Sequence, residues 1–99
     1  METEFLMEVA YIFKNGEKGK RIVGGADSKY PTNDISWLNF TNRNVMIMIK
    51  EEEFIFKVKK VDVFPSISGA LNIGLTLYED TNFDSINIGD KVYKIQEVV

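Results

Sequence analysis

Residues 5–13 read Phe5-Leu-Met-Glu-Val-Ala-Tyr-Ile-Phe13, a run in which apolar side chains recur at every second position. Strict alternation is the pattern of a β-strand that buries one of its two faces. On that register one face is fully apolar and carries Phe5, Met7, Val9, Tyr11 and Phe13. The stretch therefore predicts a long strand, which ends at the tight turn that Asn15-Gly16 favours.

The same period of two continues through most of the chain. We expect further strands at 20–23, 44–50, 54–64, 70–79 and 91–98. The first of these stops at Gly24-Gly25, and Glu51-Glu52-Glu53 is predicted to form a charged hairpin tip. Six or seven short strands with closely spaced turns are typical of an all-β fold. The sequence thus predicts a small antiparallel β-barrel or sandwich, built from a single domain over residues 1–99.

Residues 25–44 depart from this alternation, because turn-forming and cap-forming residues dominate them. Thr32 or Asn33 is placed to cap one short helical turn near 33–40. The segment also carries the single tryptophan, Trp37, together with Tyr30 and Phe40. Two interpretations stay open: these aromatic residues plug one end of the barrel, or they anchor a partner.

The composition removes most catalytic chemistry. The 99 residues include no histidine and no cysteine. The chain therefore has no side chain that ordinarily titrates near neutral pH, and no thiolate nucleophile or metal ligand. Carboxylates are plentiful, but no pair has a spacing that indicates acid/base catalysis. We expect no enzyme activity, no cofactor and no bound metal.

Asp80-Thr-Asn82-Phe-Asp84 places oxygen-bearing side chains at alternate positions, as the opening of an EF-hand calcium loop does. The rest of that loop is missing. Ser85 stands where the sharp turn needs glycine, and Lys91 stands where the bidentate glutamate is required. The segment is therefore predicted to be a polar loop between strands.

The charge balance is mildly acidic, with 12 Lys and Arg against 15 Asp and Glu and a formal net charge of −3. This balance fits a basic protein partner better than general nucleic-acid binding. The first nine residues are acidic where an export signal is basic, and no apolar stretch has the roughly 18–20 residues of a membrane-spanning helix. We expect a cytoplasmic protein that does not associate with a membrane.

The leading functional hypothesis is a non-catalytic protein-binding module. Its candidate contact residues are Tyr30, Asp34, Trp37, Phe40, Glu79, Asp80 and Asp84. Aromatic side chains are favoured as interface anchors, and acidic ones attract a basic partner. We expect these residues on one exposed face. The most concrete version is an immunity-type inhibitor that binds and neutralises a bacterial toxin, such as a basic nuclease domain.

A second hypothesis rests on basic residues. Lys57, Lys59 and Lys60 lie beside Phe54 and Phe56, and basic residues interleaved with aromatic ones are typical of sheets that bind nucleic acid. Alternation places the phenylalanines toward the core and the lysines toward water. Together with Lys20 and Arg21, these lysines indicate a nucleic-acid- or ribosome-associated barrel, whose binding weakens as salt rises.

A series of short motifs follows from residue 54 onward. They are Phe56-Lys-Val58, Val61-Asp-Val-Phe64, Ser66-Ile-Ser-Gly69, Ile73-Gly74 and Ile86-Asn-Ile-Gly-Asp90-Lys-Val92. In this order residues 54–95 resemble domain II of the translational GTPases, the β-barrel beside the G domain in elongation factor Tu and its relatives. The resemblance implies a closed barrel in which Gly69 and Gly89 permit tight corners. It covers under half of the chain, and a shared fold does not by itself imply a shared function.

Overall fold

The computed structural model describes residues 2–14, 20–27, 41, 43–65, 71–79 and 81–96. Its strands are β1 (Glu2–Phe13), β2 (Arg21–Ala26), β3 (Asn44–Ile49), β4 (Glu52–Pro65), β5 (Leu71–Leu77) and β6 (Lys91–Gln96), with a 3-10 turn at Phe83–Ser85. The strands are antiparallel and close into a barrel in the order β1-β2-β5-β4-β3-β6. The predicted all-β fold is confirmed, and the architecture is the barrel. The helical turn predicted near 33–40 lies outside the described residues.

The two longest strands, β1 and β4, each pair with two neighbours in turn. Residues 2–8 of β1 pair with β6, and residues 7–13 pair with β2. Residues 52–57 of β4 pair with β3, and residues 58–65 pair with β5. The strands β3, β4 and β5 lie side by side, and β6 returns beside β3, which is a Greek-key arrangement.

Two register shifts in β1 change which side chains face the core. One lies between Phe5 and Met7 in the pairing with β6, and the other lies between Val9 and Tyr11 in the pairing with β2. Such a bulge inserts an extra residue and so reverses the alternation of faces. The core positions of β1 are Leu6, Met7, Val9 and Ile12. The predicted single apolar face is therefore wrong, because Tyr11 and Phe13 are 62% and 45% exposed.

In β4 the predicted alternation holds until a third register shift. Its core positions are Phe54, Phe56 and Val58, followed by Val61 and Val63. Lys57 and Lys59 are exposed, as predicted. The shift between Val58 and Lys60 leaves two successive lysines, 59 and 60, on the outside before the alternation resumes.

β2 continues through Gly24 and Gly25 to Ala26, so the predicted end of this strand at the glycines is wrong. Gly24 pairs with Val9, next to the point where β1 shifts register. A Cβ at Gly24 would collide with the main-chain carbonyl oxygen of Glu8. Glycine is required here because the main chains of β1 and β2 approach each other closely.

A two-residue turn, Lys50-Glu51, joins β3 to β4, because Ile49 pairs with Glu52. Both turn residues have a positive φ, 48° and 68° respectively. Positive φ at both positions is the type I′ geometry that fits the twist of a hairpin. The predicted tip of three glutamates is therefore wrong in register, since Glu52 and Glu53 already belong to β4.

The segment 81–90 crosses the end of the barrel at which β5 ends and β6 begins. Phe83 and Ile86 are buried there and belong to the core, to which all six strands also contribute. The sequence predicts only a polar loop at this place, because Phe83 stands between polar residues. A turn follows in which the N–H of Asn87 donates to Asp90 Oδ2 at 2.7 Å and Gly89 has a φ of 98°. We call this end, closed by Phe83 and Ile86, the plug end.

Replacing Gly24 by alanine is expected to destabilise the barrel, because the new Cβ meets main chain that cannot move without opening the β1–β2 pairing. We expect the free energy of unfolding to fall by about 3 kcal/mol. The matched control is Gly25→Ala, whose Cβ would approach nothing closer than Asn72 Oδ1 at 3.7 Å. Denaturant titration measures both variants. Equal stability of the two would contradict the close approach at Gly24.

Replacing Lys50-Glu51 by Asn-Gly is expected to stabilise the hairpin, because Asn-Gly adopts type I′ geometry readily. A positive φ costs a non-glycine residue about 1 kcal/mol, so we expect a gain of about that size in the free energy of unfolding. The control is Glu51→Ala, which removes the same charge but keeps a Cβ at the same φ. Thermal unfolding compares them, and a gain in the control as large as in the Asn-Gly variant argues against the turn geometry.

Candidate functional site

The outer surface of β1, β2, β5 and β4 brings basic and aromatic side chains together. One row in register across these strands contains Phe13, Arg21, Thr76 and Lys60, and the adjacent row contains Tyr11, Val23, Gly74 and Asp62. We call this surface the cationic aromatic face. It comprises Tyr11, Phe13, Arg21, Lys57, Lys59, Lys60, Asp62, Phe64 and Tyr78.

Arg21 contacts two aromatic rings at the centre of this face. Its Cζ lies 5.0 Å from the ring centroid of Phe13 and 5.8 Å from that of Phe64. Both distances are within the range of a cation–π interaction. Gly74 leaves room for this packing, because a Cβ there would lie 3.0 Å from Phe64 Cε2 and 3.6 Å from Arg21 Cδ. The arginine is therefore in contact with two partly exposed rings, beside the bare main chain of Gly74.

A second group of cations and an aromatic ring lies where β5 ends. The Nζ atoms of Lys57 and Lys59 are 5.6 Å and 6.0 Å from the ring centroid of Tyr78. The N–H of Tyr78 donates to the carbonyl oxygen of Lys57 at 3.0 Å, which fixes the tyrosine against β4. The tyrosine side chain is exposed. This face thus pairs cations with exposed aromatic rings at two separate places.

The charge of the face is opposite to that of the chain. Four cations, Arg21, Lys57, Lys59 and Lys60, stand against the carboxylate of Asp62, and the row of Phe64 adds that of Glu8 at its far end, on β1. Lys60 Nζ lies 3.5 Å from Asp62 Oδ1, in a pair exposed enough to contribute little to stability. Because the whole chain has a net charge of −3, the positive charge here results from placement and not from composition.

Acidic side chains are placed at the plug end. A shallow hollow of about 420 Å³ is lined by Lys20, Glu79, Thr81 and Asp84. Asp84 also lines a second hollow of about 410 Å³, which extends to Lys50 and Glu52 beside the β3–β4 turn. Cations approach the same segment, since Lys14 Nζ lies 3.9 Å from Asp84 Oδ1 and Lys20 Nζ lies 5.4 Å from the Phe83 ring centroid.

The predicted partner-binding residues fall partly within the described chain. Those outside it are Tyr30, Asp34, Trp37, Phe40 and Asp80. Glu79 and Asp84 are both exposed and line the same hollow. The single exposed face that joins all seven residues stays a prediction.

The basic residues of the second hypothesis divide between two surfaces. Arg21, Lys57 and Lys59 belong to the cationic aromatic face, whereas Lys20 lies at the plug end. Sequence reasoning missed the aromatic half of this face, because unbroken alternation assigns Tyr11 and Phe13 to the core. The bulge that moves them outward has no signal in the local sequence.

Asp80, the first of the residues that imitate a calcium loop, lies outside the described residues. Phe83 is buried between Asn82 and Asp84, and Asp84 pairs with Lys14. The described residues contain no group of three or more acidic side chains arranged to hold a metal ion.

Comparisons of the chain with protein-family models, with curated proteins and with solved structures find no match. The resemblance to domain II of the translational GTPases therefore stays a prediction. In the part of the chain that the structure describes, no helix has the length and apolar character required to cross a bilayer. A functional proposal must rest on the two surfaces described above.

Proposed function

We propose that this protein is a non-catalytic binding module that holds a nucleic acid, free or within the ribosome, on its cationic aromatic face. The proposal places it in the cytoplasm. The observation that carries the proposal is the contact of Arg21 with two exposed phenylalanine rings on a face that also presents three lysines. Of the two hypotheses that the sequence raises, this is the one that the contacts of the described residues favour.

Charge is the first support for this proposal. A surface that presents several cations binds a phosphate backbone because each neutralised phosphate releases condensed counterions. The cationic aromatic face presents Lys57, Lys59 and Lys60 from one strand and Arg21 from β2. The carboxylate of Asp62 already pairs with a lysine, and that of the exposed Glu8 lies at the other end of the row that contains Phe64. The face is therefore complementary to a polyanion although the chain as a whole is acidic.

Aromatic rings are the second support. Proteins that bind single-stranded nucleic acid combine a positive groove with aromatic side chains, on which bases stack. Here the rings of Phe13, Phe64 and Tyr78 are all at least 39% exposed, and each lies within 6.0 Å of a cation. Exposed apolar groups that cluster on one surface are typical of a site that binds a partner. A bound nucleic acid would cover the rings and the cations together.

The protein is expected to bind a fluorescently labelled oligouridylate of about 20 nucleotides, with an affinity that falls steeply from about 50 to about 200 mM salt. Four phosphate contacts on a single strand correspond to a slope of about −3 in log affinity against log salt. Replacing Lys57, Lys59 and Lys60 together by alanine should reduce that slope by about two units. Fluorescence anisotropy measures both quantities.

The matched control for this experiment is Lys91→Ala. Lys91 is an exposed lysine on β6, which lies opposite β5 in the ring of six strands. This variant should leave affinity and slope unchanged. Absence of binding at low salt, or a triple variant with the slope of the unmodified protein, contradicts the proposed function.

A second candidate function is the immunity-type inhibitor of a bacterial toxin. The observation that favours it is the shared hollow at the plug end, which Glu79 and Asp84 line together. Acidic side chains at a concave surface accelerate the encounter with a basic partner. On this hypothesis Tyr30, Trp37 and Phe40, which lie outside the described residues, contribute the aromatic anchors.

For the inhibitor, the expected result is that co-expression rescues cells from a basic nuclease toxin encoded next to this protein's gene. Replacing Glu79 and Asp84 by lysine should abolish the rescue, because the hollow would then repel the partner. The fold should survive, since both side chains are exposed and the Lys14–Asp84 pair is too exposed to stabilise it much. Lys57→Glu with Lys59→Glu serves as the control and should still rescue. Rescue that persists in the Glu79/Asp84 variant removes this candidate.

A further inference from the structure

Arg21 differs from the lysines of the cationic aromatic face in how it is held. Lys57 and Lys59 share one ring, that of Tyr78, and Lys60 pairs with a carboxylate. Arg21, on β2, instead contacts Phe13 of β1 and Phe64 of β4, and these two strands flank the pair formed by β2 and β5. Its side chain is also half-buried, whereas those lysines are exposed. Arg21 is therefore the one cation of this face whose position is determined from two sides.

The chemistry of arginine gives this arrangement a meaning beyond charge. The guanidinium group is planar and delocalised, and it stacks on aromatic rings, whereas a lysine ammonium is a compact point charge. Unpaired bases in RNA complexes stack on arginine guanidinium planes as they do on aromatic side chains. A guanidinium already held by two rings loses little further freedom when a base is added.

Main-chain space beside Arg21 supports the same interpretation. Gly74 lies in register between Val23 and Asp62, and its missing side chain leaves the place that Phe64 Cε2 and Arg21 Cδ approach. A Cβ at this position would lie 3.0 Å from Phe64 Cε2, so the ring would have to shift, whereas its distance of 3.6 Å from Arg21 Cδ is ordinary contact. Gly74 thus provides the space in which the side chains of Arg21 and Phe64 pack.

We propose that Arg21, packed beside Gly74 and in contact with Phe13 and Phe64, forms with these rings a stacking platform for an unpaired base, so that the cationic aromatic face selects single-stranded nucleic acid over duplex. This inference rests on the proposed function. Contacts to phosphate alone do not distinguish the two forms well, because both present a charged backbone. A platform does distinguish them, because the bases of a duplex are already stacked on one another. Tyr11, exposed in the row next to Phe13, lies within the same surface and extends it.

The test compares Arg21→Lys with the unmodified protein on two probes, an oligouridylate of about 20 nucleotides and an RNA duplex of the same length. The unmodified protein is expected to bind the single strand at least about tenfold more tightly than the duplex. Arg21→Lys keeps the charge and should therefore keep the salt slope on both probes. It should lose about tenfold in single-strand affinity and little in duplex affinity, because a lysine offers no plane for a base.

A second variant tests the packing space at Gly74 and leaves the arginine unchanged. Gly74→Ala places a Cβ 3.0 Å from Phe64 Cε2, so the ring must shift, and the single-strand preference should fall as it does in Arg21→Lys. The matched control is Gly25→Ala, which lies on β2 and whose Cβ would have only ordinary contact with Asn72. That control should retain the preference. Thermal unfolding of each variant confirms that the barrel is intact.

The outcomes separate this inference from the proposed function. Equal binding of single strand and duplex by the unmodified protein overturns the platform but leaves phosphate binding in place. Single-strand affinity that is unchanged in Arg21→Lys overturns it as well, because charge alone would then account for the arginine. Failure to bind either probe at low salt removes the proposed function and the platform together.

Discussion

Closure of the six-stranded sheet brings the main chains of Glu8 and Gly24 into close contact, and the rest of the structure depends on that approach. A small sheet becomes a barrel only if its strands bend and shift their register. β1 shifts register twice, once against each of its neighbours, and Gly24 omits the side chain that would keep β1 and β2 apart. The ring closes because of these local departures from regular strand geometry, and its closure is what buries residues such as Met7 and Val9.

The second of these shifts also produces the cationic aromatic face. Beyond Val9 the two faces of β1 exchange places, so Tyr11 and Phe13 leave the interior and join Arg21 on the outside. The apolar volume that they would have filled lies near the end of β1, which is the plug end. Phe83 occupies the interior there. One displacement in the strand therefore changes both what fills the barrel and what the surface displays.

Much of the fold could be predicted from local pattern, and the failures have a common physical cause. Period-two alternation located the strands to within a few residues, and in β4 it assigned Phe56 and Lys57 to their correct sides. It failed past the bulges of β1, because a register shift depends on the partner strand. That partner can be far away in the sequence: Glu2 of β1 pairs with Gln96 of β6. Phe83 had no periodic signal at all. The site suffered from the same limit: its cations were predicted, its aromatic rings were assigned to the core, and the prediction centred on Trp37 lies outside the described residues.

The double pairing of β1 and β4 has a consequence for how this molecule is made. Each of these strands pairs with one neighbour along its first half and with another along its second half. A subset of neighbouring strands therefore leaves part of β1 or β4 without a pairing partner. Of the six strands of this barrel, β1 is synthesised before the others, yet half of its pairing partners belong to β6, which is made after the others. Pairing between such distant segments is slow and leaves incomplete sheets exposed to aggregation in the meantime. Closure of this barrel therefore waits until β6 has been made, because residues 2–8 of β1 have their pairing partners there.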